Sequence, residues 1–67
     1  MKFRYFTDAT RKGVKIGVNV DRVRFIRTAD LNDGTTEIWM DGHKDAIVIE
    51  VAEDFDTVFS RLNIIEG

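Results

Sequence analysis

The sequence predicts an α+β fold: a small antiparallel sheet of about five strands, able to curl into a half-barrel, closed by one C-terminal helix. Three observations lead there. Short runs rich in Val, Ile, Phe and Thr alternate with polar residues as far as residue 51, the period of a strand. Polar segments containing glycine, at 8–13, 32–34 and 41–42, separate these runs at hairpin spacing. The period then changes once. Phe55, Val58, Phe59 and Leu62 fall at i, i+3, i+4 and i+7, one face of a helix.

The elements follow in order. Lys2–Thr7 reads as a strand, with Phe3 and Tyr5 on one side and Arg4 and Phe6 on the other. Asp8–Gly13 is a hairpin loop. Val14–Val20 alternates most clearly, with Val14, Ile16, Val18 and Val20 opposite Lys15, Gly17 and Asn19. Asn19-Val20-Asp21 turns or bulges the chain. Val23–Thr28 is a third strand, with Val23 and Phe25 opposite Arg24 and Ile26. Asp33-Gly34 is a tight-turn signal, because glycine tolerates φ > 0; Thr35–Met40 then forms a strand. Asp41-Gly42 turns by the same logic into a fifth strand, Ala46–Val51, with Ile47, Ile49 and Val51 inward. Glu53, Asp54 and Asp56 crowd the first turn of the helix, and Arg61 stands near its end, as the helix dipole favours. The helical stripe has the Val/Ile face of the sheet to lie on. Residues 64–67, with Ile64 and Ile65, fall outside the helical pattern and read as a flexible tail.

The chain has 67 residues and no cysteine or proline. That length suits a single domain, 1–67, with one small core, and a core of this size gains from an oligomeric interface. No disulfide or thiolate chemistry is available. No leader-like apolar run follows the first residues, and no stretch approaches the ~20 apolar residues of a membrane span. The expectation is a soluble cytoplasmic protein with no membrane association.

Charge is divided along the chain. Residues 1–27 carry eight basic and two acidic side chains; residues 28–67 carry two basic and ten acidic ones. Such a split marks either a surface for a charged partner or pairing between neighbouring elements. If the Val/Ile face meets the helix, strict alternation puts Arg4, Phe6, Lys15, Arg24, Ile26, Glu37, Trp39 and Val48 on the opposite face. Three readings of that face stand. Its apolar members fill a second small core. Alternatively Phe6, Ile26, Trp39 and Val48 form a contact surface for a second copy or a protein partner. In the third reading Lys15, Arg22, Arg24 and Arg27 meet nucleic acid, with aromatic rings for stacking.

Reaction chemistry finds little support. Asp41, His43 and Asp45 share one side of an extended segment, but they lie at a turn and a closed metal site needs a further ligand. Asp30-Leu31-Asn32-Asp33-Gly34 resembles the start of a calcium loop, yet its glycine comes one residue early and its twelfth position is Asp41. Glu53, Asp54 and Asp56 are explained by the helix start. Ser60 has no histidine placed to activate it, and neither Gly13 nor Gly17 opens a helix as a phosphate loop requires. No catalytic residue, metal, cofactor or small-molecule substrate is expected.

Val18-Asn19-Val20-Asp21, then Val23 and Ile26, then Asp41-Gly42, then Phe55, Val58 and Leu62 together resemble the pattern of small bacterial proteins of the flagellar-operon FlbD, or swarming-motility SwrD, family. The likeness spans about two-thirds of the chain. The loop Asp8–Gly13 departs from it, being longer and more charged than the family's turn, and the last strand lies further from its hairpin. The resemblance implies a small accessory protein and brings no catalytic residues. The expected function is a non-enzymatic interaction module acting through self-association or a protein partner. The alternative is a small nucleic-acid-binding regulator using the basic N-terminal strands.

Overall fold

A computed structural model of the chain describes residues 2–29 and 34–62. The elements are β1 (Phe3–Thr7), β2 (Lys15–Asn19), a 3-10 turn (Val20–Arg22), β3 (Val23–Thr28), β4 (Thr36–Met40), β5 (Ile47–Val51) and α1 (Phe55–Leu62). This is the expected α+β arrangement of five antiparallel strands and one C-terminal helix. The strands divide into a two-stranded sheet, β1-β2, and a three-stranded sheet, β3-β4-β5, and do not close into a barrel.

The β1–β2 loop is built on Asp8. One of its carboxylate oxygens accepts the Thr10 amide and hydroxyl, each at 2.8 Å, and the Arg11 amide at 3.3 Å. Gly13 closes the loop at φ +79°, a conformation that a side chain disfavours. At the far end of the hairpin, Asn19 caps the 3-10 turn by accepting the Asp21 amide. The Val20 amide donates to the Lys2 carbonyl. That turn carries the chain from the first sheet into the second.

The two sheets meet where the end of β1 pairs with the end of β5. Asp8 bridges Val51, the Ala52 amide donates to the Thr7 carbonyl at 2.8 Å, and the Ala9 amide donates to the Glu50 carbonyl at 3.1 Å. Further along the same edge of β1, Glu53 accepts the Thr7 amide and the Arg61 guanidinium donates to the Tyr5 carbonyl at 2.9 Å. Residues around α1 thus satisfy backbone groups that an edge strand would otherwise present to solvent.

The core lies between the sheets and the helix. Phe6, Val18, Ile38, Val51 and Val58 are its fully buried members, with Ile16, Val23, Ile26, Met40, Ile49 and Leu62 packed around them. Asp54 caps α1, its carboxylate 2.9 Å from the Thr57 amide and its carbonyl 3.0 Å from the Val58 amide. The helix buries Val58 and partly buries Leu62, packing against β1 and β3. In the other half of the predicted stripe Phe55 is half-buried and Phe59 is open. Phe55 and Phe59 stack on each other with ring centroids 6.2 Å apart, and Phe59 stays 54% exposed.

Strict alternation fails in β3. Val23 pairs with Met40 and Phe25 with Trp39, so an extra residue, Arg24, is accommodated between two successive partners. A β-bulge of this kind shifts side-chain direction by one residue. Val23 and Ile26 therefore both pack on the core, and Phe25 and Arg27 point away from it. In β1 the inward set is Arg4 and Phe6, the reverse of the sequence expectation. Phe6 is 1% exposed, whereas Phe3 and Tyr5 are open to solvent.

Asp41-Gly42 does not form a two-residue turn. The β4–β5 connection runs over residues 41–46, and Gly42 has no positive φ. Its glycine is required by space. A Cβ at this position would come to 2.1 Å from the Asp45 carbonyl oxygen and 2.9 Å from Ile47 Cγ1. The turn expected around Asp33-Gly34, the segment Asp30–Asp33 and the tail with Ile64 and Ile65 lie outside the described residues.

Two candidate interaction surfaces

The outer face of β3-β4-β5 carries an apolar ladder. Phe25 on β3, Trp39 on β4 and Val48 on β5 are successive cross-strand partners. Phe25 and Trp39 stack at 5.1 Å between centroids, with an interplanar angle of 18°. Phe25 and Val48 are 48% and 42% exposed, and Trp39 is half-buried between them.

A charged group locks the Trp39 ring. Arg27 Nε donates to Glu37 Oε1 at 2.7 Å, and Trp39 Nε1 donates to the same oxygen at 3.1 Å. The Arg27 guanidinium also lies 5.5 Å from the Trp39 ring centroid, within the range of a cation–π contact. The hydrogen bond from Arg27 and then that from Trp39 hold the Glu37 carboxyl below the ordinary carboxylate range, against a smaller upward push from desolvation. Arg24, at the bulge, pairs with Asp41 at 3.3 Å. Both arginines of this sheet are therefore met by its own carboxylates, and Glu50, the cross-strand partner of Glu37 on the same face, adds a carboxylate that accepts the Thr35 hydroxyl.

The four residues expected to form one partner surface separate. Trp39 and Val48 lie together on the outer face, whereas Phe6 and Ile26 belong to the core. Phe25 takes their place on the surface. Alternation alone could not reveal it, because nothing in Val23–Thr28 marks the extra residue. Of the four residues expected to meet nucleic acid, Arg24 and Arg27 are engaged by Asp41 and Glu37. Lys15 on β2 and Arg22 in the 3-10 turn are exposed.

A second surface lies on the outer face of β1–β2. Gly17 is paired with Tyr5, and the rings of Tyr5 and Phe3 lean over it. A Cβ on Gly17 would meet Tyr5 Cε1 at 3.3 Å and Phe3 Cδ2 at 3.8 Å. Tyr5 is 65% exposed. Aromatic cover of a cross-strand glycine is a known device in sheets, and a glycine inside a strand, with aromatic residues on the neighbouring one, is the sequence signal that could have revealed it.

The acidic start of α1 has a structural use. Glu53 accepts hydrogen bonds from the Thr7 amide and hydroxyl, and the Arg61 guanidinium stands 3.6 Å away. Burial pushes the Glu53 carboxyl up, but the Thr7 amide, its own amide, the Thr7 hydroxyl and Arg61 together outweigh burial and hold it below the ordinary range. Among the described residues, no group of three or more His, Asp or Glu side chains gathers as metal ligands, so Asp41, His43 and Asp45 do not converge. No helix among them is long and apolar enough to cross a membrane.

Comparison with known proteins finds no family model, no curated protein and no solved structure that matches the chain.

Proposed function

We propose that this chain is a non-enzymatic interaction module that self-associates through the outer face of β3-β4-β5. The observation that carries the reading is the exposed ladder of Phe25, Trp39 and Val48. Aromatic residues with an adjacent arginine are the side chains that dominate binding energy at protein interfaces. A two-fold interface places the same patch on both sides, so the patch must tolerate its own charge. Here Arg27–Glu37 and Arg24–Asp41 are paired within one chain, which reduces the like-charge repulsion a second copy would meet. The small core, with five large apolar side chains fully buried among the described residues, gives a further reason for covering this face. An accessory role agrees in kind with the FlbD- and SwrD-like pattern in the sequence.

Sedimentation equilibrium from micromolar to millimolar concentration tests the reading. The expected result is a mass rising to twice that of the chain, accompanied by a blue shift of Trp39 emission. Trp39→Ala or Val48→Lys weakens association at least about thirtyfold, the equivalent of about 2 kcal/mol. A single-chain mass at millimolar concentration overturns self-association.

A further inference from the structure

The charge asymmetry of the sequence resolves into two populations of cations. Arg24, Arg27 and Arg61 each meet a carboxylate, and Arg4 donates to the Arg61 carbonyl at the end of α1. Lys2, Arg11, Lys12, Lys15 and Arg22 make no ion pair or side-chain hydrogen bond among the described residues, and all five are exposed. They cluster on one structural unit. Arg11, Lys12 and Lys15 lie at the loop end of the β1–β2 hairpin. Lys2 and Arg22 lie at its other end, where the Val20 amide bonds the Lys2 carbonyl. Between the two groups stand the exposed rings of Phe3 and Tyr5, separated by two residues along β1, or about 7 Å. The described carboxylates on or touching this unit are Asp8, Asp21 and Glu53: Asp8 accepts from Thr10 and the Arg11 amide, and Glu53, which reaches Thr7, is met by Arg61.

We propose that the outer face of β1–β2 binds single-stranded nucleic acid. Two bases stack on Phe3 and Tyr5, and the phosphates on either side run toward Lys15, Arg11 and Lys12 at one end and Lys2 and Arg22 at the other. Gly17 brings the strand backbone close beneath the rings, which leaves their open faces turned to solvent. Rings between cations that have no ion pair among the described residues suit a polyanion that also offers flat apolar surfaces. An acidic peptide would use the cations and leave the rings idle. A duplex keeps its bases stacked on each other and out of reach of the rings. The surface is separate from the Phe25–Trp39–Val48 ladder, so the two proposals fail independently.

The test is fluorescence anisotropy with labelled thymidine and uridine oligonucleotides of about ten residues, at protein concentrations below any self-association. Neutralising about four phosphates on a single strand predicts a fall in affinity of about fiftyfold between about 50 and 200 mM salt. Tyr5→Ala weakens binding at least about fivefold. Tyr5→Leu, which keeps an apolar cover over Gly17, weakens it comparably while circular dichroism stays native. Lys15→Ala lowers the salt slope, and Trp39→Ala leaves binding unchanged. The proposal is overturned by absence of binding at low salt, by Tyr5→Leu binding as the parent does, by equal affinity for a duplex, or by displacement of the oligonucleotide by polyglutamate at equal charge.

Discussion

The Glu53 carboxylate holds Thr7 by both its amide and its hydroxyl, with distances of 3.0 and 3.1 Å to the amide and 3.1 Å to the hydroxyl. Residues 46 positions apart are joined in this way, and the joint fixes the start of α1 against the end of β1. Glu53→Ala leaves the Thr7 amide without this partner at a half-buried position. The expected loss of stability is about 1–3 kcal/mol, read from urea unfolding. Combined with Thr7→Val, the pair shows a coupling above about 0.5 kcal/mol in a double-mutant cycle. Additive effects would mean that the two side chains act separately.

Acid sensitivity follows from the same chemistry. The carboxyls of Asp8, Glu37, Glu53 and Asp54 all lie below their ordinary values in the folded chain. For Asp8 the leading cause is the Thr10 amide, and for Asp54 it is the hydrogen bonding to Thr57. The unfolded chain therefore takes up protons first as pH falls. The stability these groups contribute is complete above the ordinary carboxylate range of about 4 and is lost as pH drops through their lowered folded values. The urea midpoint should hold near neutrality and fall steeply below about pH 4.5. Glu53→Gln should make that fall shallower; an unchanged slope would remove Glu53 from the set.

The helix contributes to the core through one side of its apolar stripe. Val58→Ala empties a fully buried site and is expected to cost about 2 kcal/mol. Phe59→Ala removes a larger side chain from an exposed position and should change stability by less than about 0.5 kcal/mol. Thermal unfolding followed by circular dichroism separates the two. Equal losses would contradict the placement of the helix.

Glycines supply a third comparison. Gly42→Ala forces a methyl group against the Asp45 carbonyl and the Ile47 side chain, and its cost should exceed about 1 kcal/mol. Gly34 has no described atom within 4 Å of where its Cβ would stand, so Gly34→Ala is expected to cost less than Gly42→Ala. Similar unfolding midpoints for the two variants would refute the steric reading of Gly42.

Much of the architecture could be read from the chain because its periods are strong. The alternation Val14–Val20, the change to helical spacing at Phe55 and the turn at Asn19-Val20-Asp21 each reappear as structure. The faces were harder. In β1 aromatic residues stand on both sides, so alternation offers two equivalent choices, and the folded chain takes the one opposite to expectation, with Phe6 inside. In β3 the bulge breaks the parity on which the choice depends. The Asp41-Gly42 pair has turn chemistry, but the glycine serves a close backbone approach inside a longer loop. The ion pairs of Arg24 and Arg27 needed register, which hydrophobic pattern alone does not fix when a strand carries an extra residue.

The bulge at Arg24 works as a change of reading frame within a single strand. Before it, Val23 is addressed to the interior; after it, the odd-numbered residues Phe25 and Arg27 are addressed to the outside. Removing that one residue would leave Val23 and Phe25 as direct neighbours in a regular ladder, with Phe25 still opposite Trp39 and Ile26 still opposite Ile38. Keeping Arg24 in a strand without the bulge would do the opposite, sending Phe25 inward and turning Ile26 out. The stacked pair at the centre of the outer face would then be dismantled without altering any of its own side chains. A surface of this kind is specified by how the preceding segment absorbs its added residue as much as by composition, and a relative that lost that residue but kept Phe and Trp would still possess it.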